Sequence, residues 1–332
     1  MKFELLNEWR GLERIHADEV SEICRSELRF SRAVPLAVER TTLAIGAFRP
    51  PVILVHGFAQ NRYTWRISER SMSGYLAAAG FDVYNLELRG HGNSRAYGAG
   101  NARAFAEYVD DLVEIVNQLD QPPFVIGHSL GGAVAVGAAT RVPLAGLIPI
   151  AGVFRFATQN PTLRALARIS LRASPILEAG PVRMSTGWAG RLLGQLYGLT
   201  DIAGYGLPLA GWVPGSLERH LLEERLALGF DWTSVEVWLQ MCRWALGEPF
   251  EYQEAFSKQD LPLFVIAGDS DPLLHAEDAR SCYEASNATD KRFVVFDAFD
   301  HGHHFGHLDL ILGQHAPDIV WPQIREWLVA RS

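Results

Sequence analysis

The sequence predicts an α/β fold built on a mostly parallel, doubly wound sheet with a helical segment inserted into it. Three observations carry this. Short, wholly apolar runs such as Val52-Ile53-Leu54-Val55 and Leu263-Phe264-Val265-Ile266-Ala267 suit strands covered on both faces. Between such runs lie stretches with one-sided helical spacing, and strand–helix alternation of this kind builds parallel sheets. The alternation stops over 154–250 and then resumes. The expected division is therefore a first part of the sheet domain over 1–153, an inserted helical cap over 154–250, and the rest of the sheet domain over 251–332.

Residues 1–49 carry the weakest pattern: Glu4 to Cys24 reads as a short amphipathic helix, and Leu28 to Leu43 as two strands around Pro35. Val52–Val55 is the first sheet strand, closed by His56-Gly57-Phe58. Residues 62–79 read as a helix with Gly80 as its stop. Phe81–Leu86 is the next strand, ending in the Gly-rich loop Arg89-Gly90-His91-Gly92-Asn93-Ser94. Phe105, Val109, Leu112, Val116 and Leu119 then recur at spacings of four, three, four and three, a one-sided helix. Phe124-Val125-Ile126 is a strand, Ala133 to Ala139 a small-residue helix suited to close packing on a sheet, and Leu144–Ala151 another buried strand.

Over 154–250 the glycines 187, 190, 194, 198, 204, 206, 211 and 215 are interleaved with Trp188, Trp212, Trp232, Trp238 and Trp244. Helical fragments are expected at 162–172, 216–228 and 233–246, with no strand. So aromatic a stretch packs instead of staying a solvated linker. The rhythm returns with Leu263–Ala267, a helix over 276–286, the strand Phe293–Phe296, and a last helix carrying Ile319, Val320, Ile324, Trp327 and Leu328, with Pro322 near its start.

A chain of 332 residues that is 48% hydrophobic supplies a large core. Its net charge of −8, with no basic run, argues against a nucleic-acid surface. Cys24, Cys242 and Cys282 are odd in number and far apart, which suits free thiols in a reducing compartment. Glu4, Glu8, Glu13, Asp18 and Glu19 make the start unlike a signal peptide, and no uncharged stretch is long enough to span a bilayer. A soluble, cytoplasmic protein with no integral membrane segment is expected.

The chemistry centres on Gly127-His128-Ser129-Leu130-Gly131, a G-x-S-x-G sequence between a strand and a helix. Such a turn forces strained backbone angles on the serine, and the flanking glycines leave room for it. The helix N-terminus behind it aims N–H groups at the place where an oxyanion would form. Serine at neutral pH needs a base to take its proton, and an imidazole base needs a carboxylate to fix its tautomer. The loop Gly268-Asp269-Ser270-Asp271-Pro272 follows one strand. A loop with His301, His303, His304 and His307 follows the next. Both stand where a parallel sheet carries its functional loops. Asp269, Asp271 and Asp300 all compete for the acid role. The histidines match no common zinc spacing and no cysteine joins them, so neither a metal nor any other cofactor is expected.

These motifs resemble the α/β-hydrolase superfamily from about Pro50 to the C-terminus, with a poor match over the insertion. His56-Gly57-Phe58 resembles that family's oxyanion loop, and Arg89 to Ser94 its R-G-x-G-x-S loop, where the family often has Asp in place of Glu87. Gly268-Asp269-Ser270-Asp271 resembles its G-x-x-D acid loop, which selects Asp271. His307-Leu308-Asp309, with Gly313 and the Val320-Trp321-Pro322 to Trp327-Leu328 helix, is similar to the C-terminal end of acid-lipase-like enzymes and polyhydroxyalkanoate synthases. In those families the histidine of H-x-D is the base, which selects His307. The synthases use cysteine at the elbow, and haloalkane dehalogenases and epoxide hydrolases use aspartate; Ser129 disfavours all three.

The resemblance implies a Ser129–His307–Asp271 triad with backbone N–H groups of Phe58 and Leu130 as the oxyanion hole. It implies an esterase- or lipase-like hydrolase acting through an acyl-enzyme on a small-molecule ester. The apolar insertion points to a hydrophobic substrate. Thioester or lactone cleavage and acyl transfer use the same triad, and a non-catalytic small-molecule binder on this fold is the alternative of a different class.

Overall fold

The computed structural model describes residues 3–31, 33–175, 184–185 and 211–332. The sheet strands are β1 (Phe3–His16), β2 (Glu19–Ser31), β3 (Pro35–Leu43), β4 (Pro51–Val55), β5 (Asp82–Glu87), β6 (Phe124–His128), β7 (Gly146–Ile150), β8 (Leu263–Gly268) and β9 (Lys291–Phe296). They form one sheet in the order β1-β2-β3-β5-β4-β6-β7-β8-β9. The stretch from β5 to β9 is parallel throughout. The first three strands are antiparallel and join at β5. This is the mostly parallel, doubly wound sheet that the apolar runs predict. The reason is visible in β4, β6, β7 and β8, whose every residue is buried. A strand covered on both faces has no polar alternation to show.

The chain leaves β4 for β5 on one side and returns to β6 on the other. The loops after β4 and β6 therefore diverge at their carboxyl ends and open a crevice there. Helix α3 (Phe105–Val116) packs on α4 (Leu130–Ala139), and a Cβ at Gly137 would come within 2.6 Å of the Val109 side chain, so the close approach needs glycine. The C-terminal helix α9 (Ala316–Val329) sets Trp327 against Phe124 and Phe264, and Pro322 lies inside it.

Two expectations for the first 79 residues are corrected. Glu4 to Cys24 is not a helix: it belongs to the long β1–β2 hairpin, which turns at Ala17 with φ +44°. Spacing along one segment cannot register a partner strand. Here the partner supplies Arg29 for Glu4 and Arg25 for Glu13, and no helical stripe would have been buried, since Leu12 stays 72% exposed. Residues 62–79 are not one helix either. Arg62–Thr64 is a short 3-10 turn, and the α-helix α1 (Met72–Ala78) starts only where Ser71 Oγ accepts from Gly74 N at 3.0 Å. Arg62, Arg66 and Arg70, spaced as a helix's polar face, are drawn to carboxylates in different directions. Arg62 reaches Glu27 and Glu87, Arg66 reaches Glu39, and Arg70 reaches Glu218. Burial works to raise Glu39, but the guanidiniums of Arg25, Arg66 and Arg62 outweigh it and hold this carboxyl far below its ordinary range.

In the insertion, α5 (Pro161–Arg172), α6 (Arg219–Leu228) and α7 (Val235–Ala245) fall where helical fragments are expected. Met184–Ser185 pairs with Trp232–Thr233, a two-residue strand contact that corrects the expectation of no strand here, because so short a pairing leaves no apolar run in either segment. The glycines from 187 to 206 and Trp188 lie outside the described residues. Helices α5 and α7 pack together, and Trp238 Nε1 donates to Ser170 Oγ at 3.1 Å. All three cysteines are free and buried.

Candidate active site

Ser129 follows β6 with φ +55° and ψ −120°, a conformation that costs an L residue about 1–3 kcal/mol. The flanking glycines are compelled by backbone, not by flexible side chains. A Cβ at Gly127 would lie 2.3 Å from Gly131 O, and one at Gly131 would lie 2.3 Å from Val55 O. The turn is bonded on both sides: Ser129 N donates to Ile150 O, and Ser129 O accepts from Gly132 N and Val153 N. The hydroxyl does not cap α4. Among the described residues the backbone N–H groups of Phe58 and Leu130 donate to nothing.

His307 Nδ1 lies 2.6 Å from Asp271 Oδ2, with both residues buried. The other oxygen of Asp271 accepts from Leu273 N at 2.8 Å and Leu274 N at 2.9 Å, so the carboxylate has no rotational freedom. The loop carrying His307 is clamped by residues 211–216. The N–H groups of His307 and Leu308 both donate to Gly211 O. Asp309 accepts from Gly306 N, Val213 N and Ser216 Oγ at 2.6–2.8 Å. Burial pushes Asp309 up to about 7 against those donors.

With Nδ1 committed to Asp271, Nε2 is the free nitrogen of His307, and it bonds to no described residue. Nor does Ser129 Oγ; the structure has no direct hydrogen bond between the two. Both line one partly open cavity. Its apolar wall includes Phe58, Phe156, Leu163, Trp238, Met241 and Leu273. Trp238 and Met241 come from α7 and Leu163 from α5, so the insertion forms part of this wall.

The structure brings Ser129, Asp271, His307 and Phe58 to one place and sends the rivals elsewhere. Asp269 bonds His304 Nδ1 at 2.5 Å and Phe305 N. Asp300 is exposed, His303 stacks on His315, and His301 lies against Phe296. Among the described residues no group of three or more His, Cys, Asp or Glu is placed to hold a metal, and no helix is long and apolar enough to cross a membrane.

His56 bonds Gly57 O through Nδ1 and accepts from Leu88 N at Nε2, and burial pushes it down to about 3. His128 bonds far along the chain. Its Nε2 reaches His307 O at 3.1 Å, and its ring centroid is 4.5 Å from that of His307. Gln60 and His128 are site residues that sequence reasoning missed, because no spacing signals a contact across 179 positions. Glu87, where the resembling family often has Asp, uses its extra length. It bonds Arg62 and Asn93 N and fills the space that Gly92 leaves, where a Cβ would meet Glu87 Oε1 at 1.9 Å.

A profile described as the Alpha/beta hydrolase family matches residues 52–316. Epoxide hydrolase B of Mycobacterium tuberculosis is 34% identical over 87 residues, which is 26% of this chain and 23% of that protein. This chain thus covers about a quarter of that relative's length. Among solved structures, a monoacylglycerol lipase of Paleococcus ferrophilus superposes with a TM-score of 0.62 at 21% identity, over 90% of this chain and 99% of that one. A soluble variant of monoglyceride lipase from Saccharomyces cerevisiae superposes at 0.64 and 14% identity, over 91% and 93%. At those identities the superpositions speak for the fold alone. With the profile spanning the elbow, the acid loop and the histidine loop, the chain belongs to the alpha/beta hydrolase family.

Proposed function

We propose that this protein is a serine hydrolase of carboxylic esters with an apolar acyl or alcohol group. One observation carries the reading: a serine held at positive φ and an imidazole seated on a buried carboxylate line the same apolar cavity. Ser129 Oγ attacks the ester carbonyl while His307 Nε2 takes its proton, then passes it to the departing alcohol. Asp271 keeps the His307 proton on Nδ1 and stabilises the imidazolium. The free N–H groups of Phe58 and Leu130 receive the oxyanion, a contribution of roughly 3 kcal/mol per donor. Water activated by the same histidine releases the acyl group. Residues 154–250 act as a cap over a core formed by 1–153 and 251–332.

The stretch matched to an epoxide hydrolase does not favour epoxide opening, because the elbow here presents a hydroxyl where that chemistry uses a carboxylate. A panel of nitrophenyl esters of increasing chain length, with matched thioesters and lactones, tests the reading on the wild type and Ser129→Ala. Esters of longer acids are expected to be cleaved faster than acetate, and Ser129→Ala to be inactive. Acetate cleaved as fast as longer esters contradicts the apolar pocket. Turnover surviving in Ser129→Ala contradicts the nucleophile.

A further inference from the structure

Among the described residues, Gln60 is an amide side chain that lines the cavity and that the proposed triad does not use. It is 3% exposed, on the loop after β4, and it shares one face of Gly57 with Ser129: a Cβ there would meet Ser129 Cβ at 3.0 Å and Gln60 Cδ at 3.3 Å. The Gln60 amide thus stands beside the nucleophile. Its orientation decides whether the cavity offers substrate a donor or an acceptor.

His128 fixes that orientation. The carbonyl of His307 can only accept, so His128 Nε2, 3.1 Å away, must carry a proton and donate it. Burial pushes His128 well below its usual range, so its ring is neutral and Nδ1 is a bare lone pair. Gln60 Oε1 lies 3.4 Å from that lone pair and 2.8 Å from Thr64 Oγ1. With oxygen there, two acceptors face each other and the amide NH2 turns its two protons into an apolar cavity. A half-turn of the amide removes the clash of acceptors and leaves the carbonyl oxygen, in place of the NH2, facing the cavity. Gln60 Nε2 then donates to Thr64 Oγ1 and His128 Nδ1, and the Thr64 hydroxyl proton gives up Gln60 as its acceptor.

We infer that Gln60 presents its carbonyl oxygen to the cavity and selects esters carrying a hydroxyl or N–H donor close to the reacting carbonyl. This rests on the ester-hydrolase reading above and narrows its substrate class. An apolar cavity with one acceptor beside the nucleophile binds a chain whose greasy part is tolerated broadly and whose single donor is read for position. A substrate without the donor leaves the carbonyl dry and unpaired, which is the source of the discrimination.

Matched pairs test it: α-hydroxy and β-hydroxy octanoates against octanoate on the acyl side, and a glycol monoester against the ethyl ester on the alcohol side. The wild type is expected to favour at least one hydroxylated member by about tenfold in kcat/KM. In Gln60→Leu and Gln60→Met that ratio is expected to fall to within about twofold of unity. Nitrogen NMR of the His128 ring, on wild-type protein, is expected to show a bare Nδ1 and a protonated Nε2. No preference in the wild type, an undiminished ratio in both variants, or a proton on Nδ1 would each overturn the inference. Turnover without the preference contradicts this inference alone, whereas no turnover of any ester contradicts the reading beneath it.

Discussion

Replacing Asp271 by asparagine is expected to disable the enzyme more thoroughly than so small a change suggests. One carboxylate oxygen accepts from Leu273 N and Leu274 N, so in the variant that position must hold the amide oxygen. The NH2 is then forced to the site 2.6 Å from His307 Nδ1. Two N–H groups cannot face each other, so the imidazole moves its proton to Nε2, the nitrogen that must accept from Ser129. A base locked in the wrong tautomer costs about 10⁴-fold in kcat, or about 5.5 kcal/mol of transition-state stabilisation. Because the two backbone bonds survive, the unfolding free energy should change by less than about 1 kcal/mol. Asp271→Ala gives the contrast: it strands both leucine N–H groups, costing about 2–3 kcal/mol in stability, yet imposes no tautomer. Nitrophenyl ester kinetics and urea unfolding on both variants provide the check. Asparagine is expected to be the slower and the more stable of the two. An asparagine variant keeping more than about a tenth of wild-type kcat would refute this account of the acid.

Gly131→Ala should cost about 3 kcal/mol or more, because its Cβ meets the backbone oxygens of Val55 and His56 at 2.3 and 2.6 Å, whereas Gly100→Ala, in open space, should change stability by less than about 0.5 kcal/mol; equal urea midpoints would contradict this. Imidazole NMR should find His56 and His128 neutral at pH 5 in the folded protein, and protonation of either ring there would contradict their burial. The unfolded imidazole, with a pKa near ~6.5, charges there. Stability that His56 leaves intact above that value is therefore lost as pH falls toward its folded value of about 3, and the loss reaches about 2 kcal/mol at pH 5. Asp309 and Asp111, raised by burial to about 7 and about 6, act in the opposite sense as they take up protons, so the rings must be observed one by one instead of through a global midpoint.

The parallel strands and the elbow were legible in the sequence because their physics is local. Burial on both faces leaves an unbroken apolar run, as in β4 and β8, and the close approach of Gly127 to Gly131 and of Gly131 to Val55 excludes every side chain. What stayed illegible depends on partners far along the chain. The β1–β2 hairpin is set by Arg25 and Arg29 answering Glu13 and Glu4. The break in 62–79 is set by carboxylates on β2, β3, β5 and the loop before α6. Among the candidate site residues, Asp271 and His307 sit on loops whose order the alternation implies. By contrast, Gln60 and His128 acquire their roles only when the loop after β4 meets the histidine loop.

The central claim is that Ser129 is a nucleophile activated by His307. Fluorophosphonate labelling of the native protein, followed by peptide mass spectrometry, tests it most directly. The expected result is a single phosphonyl adduct on the peptide containing Ser129, formed far more slowly in His307→Ala. An unlabelled protein at saturating probe, or an adduct on another residue, would contradict it.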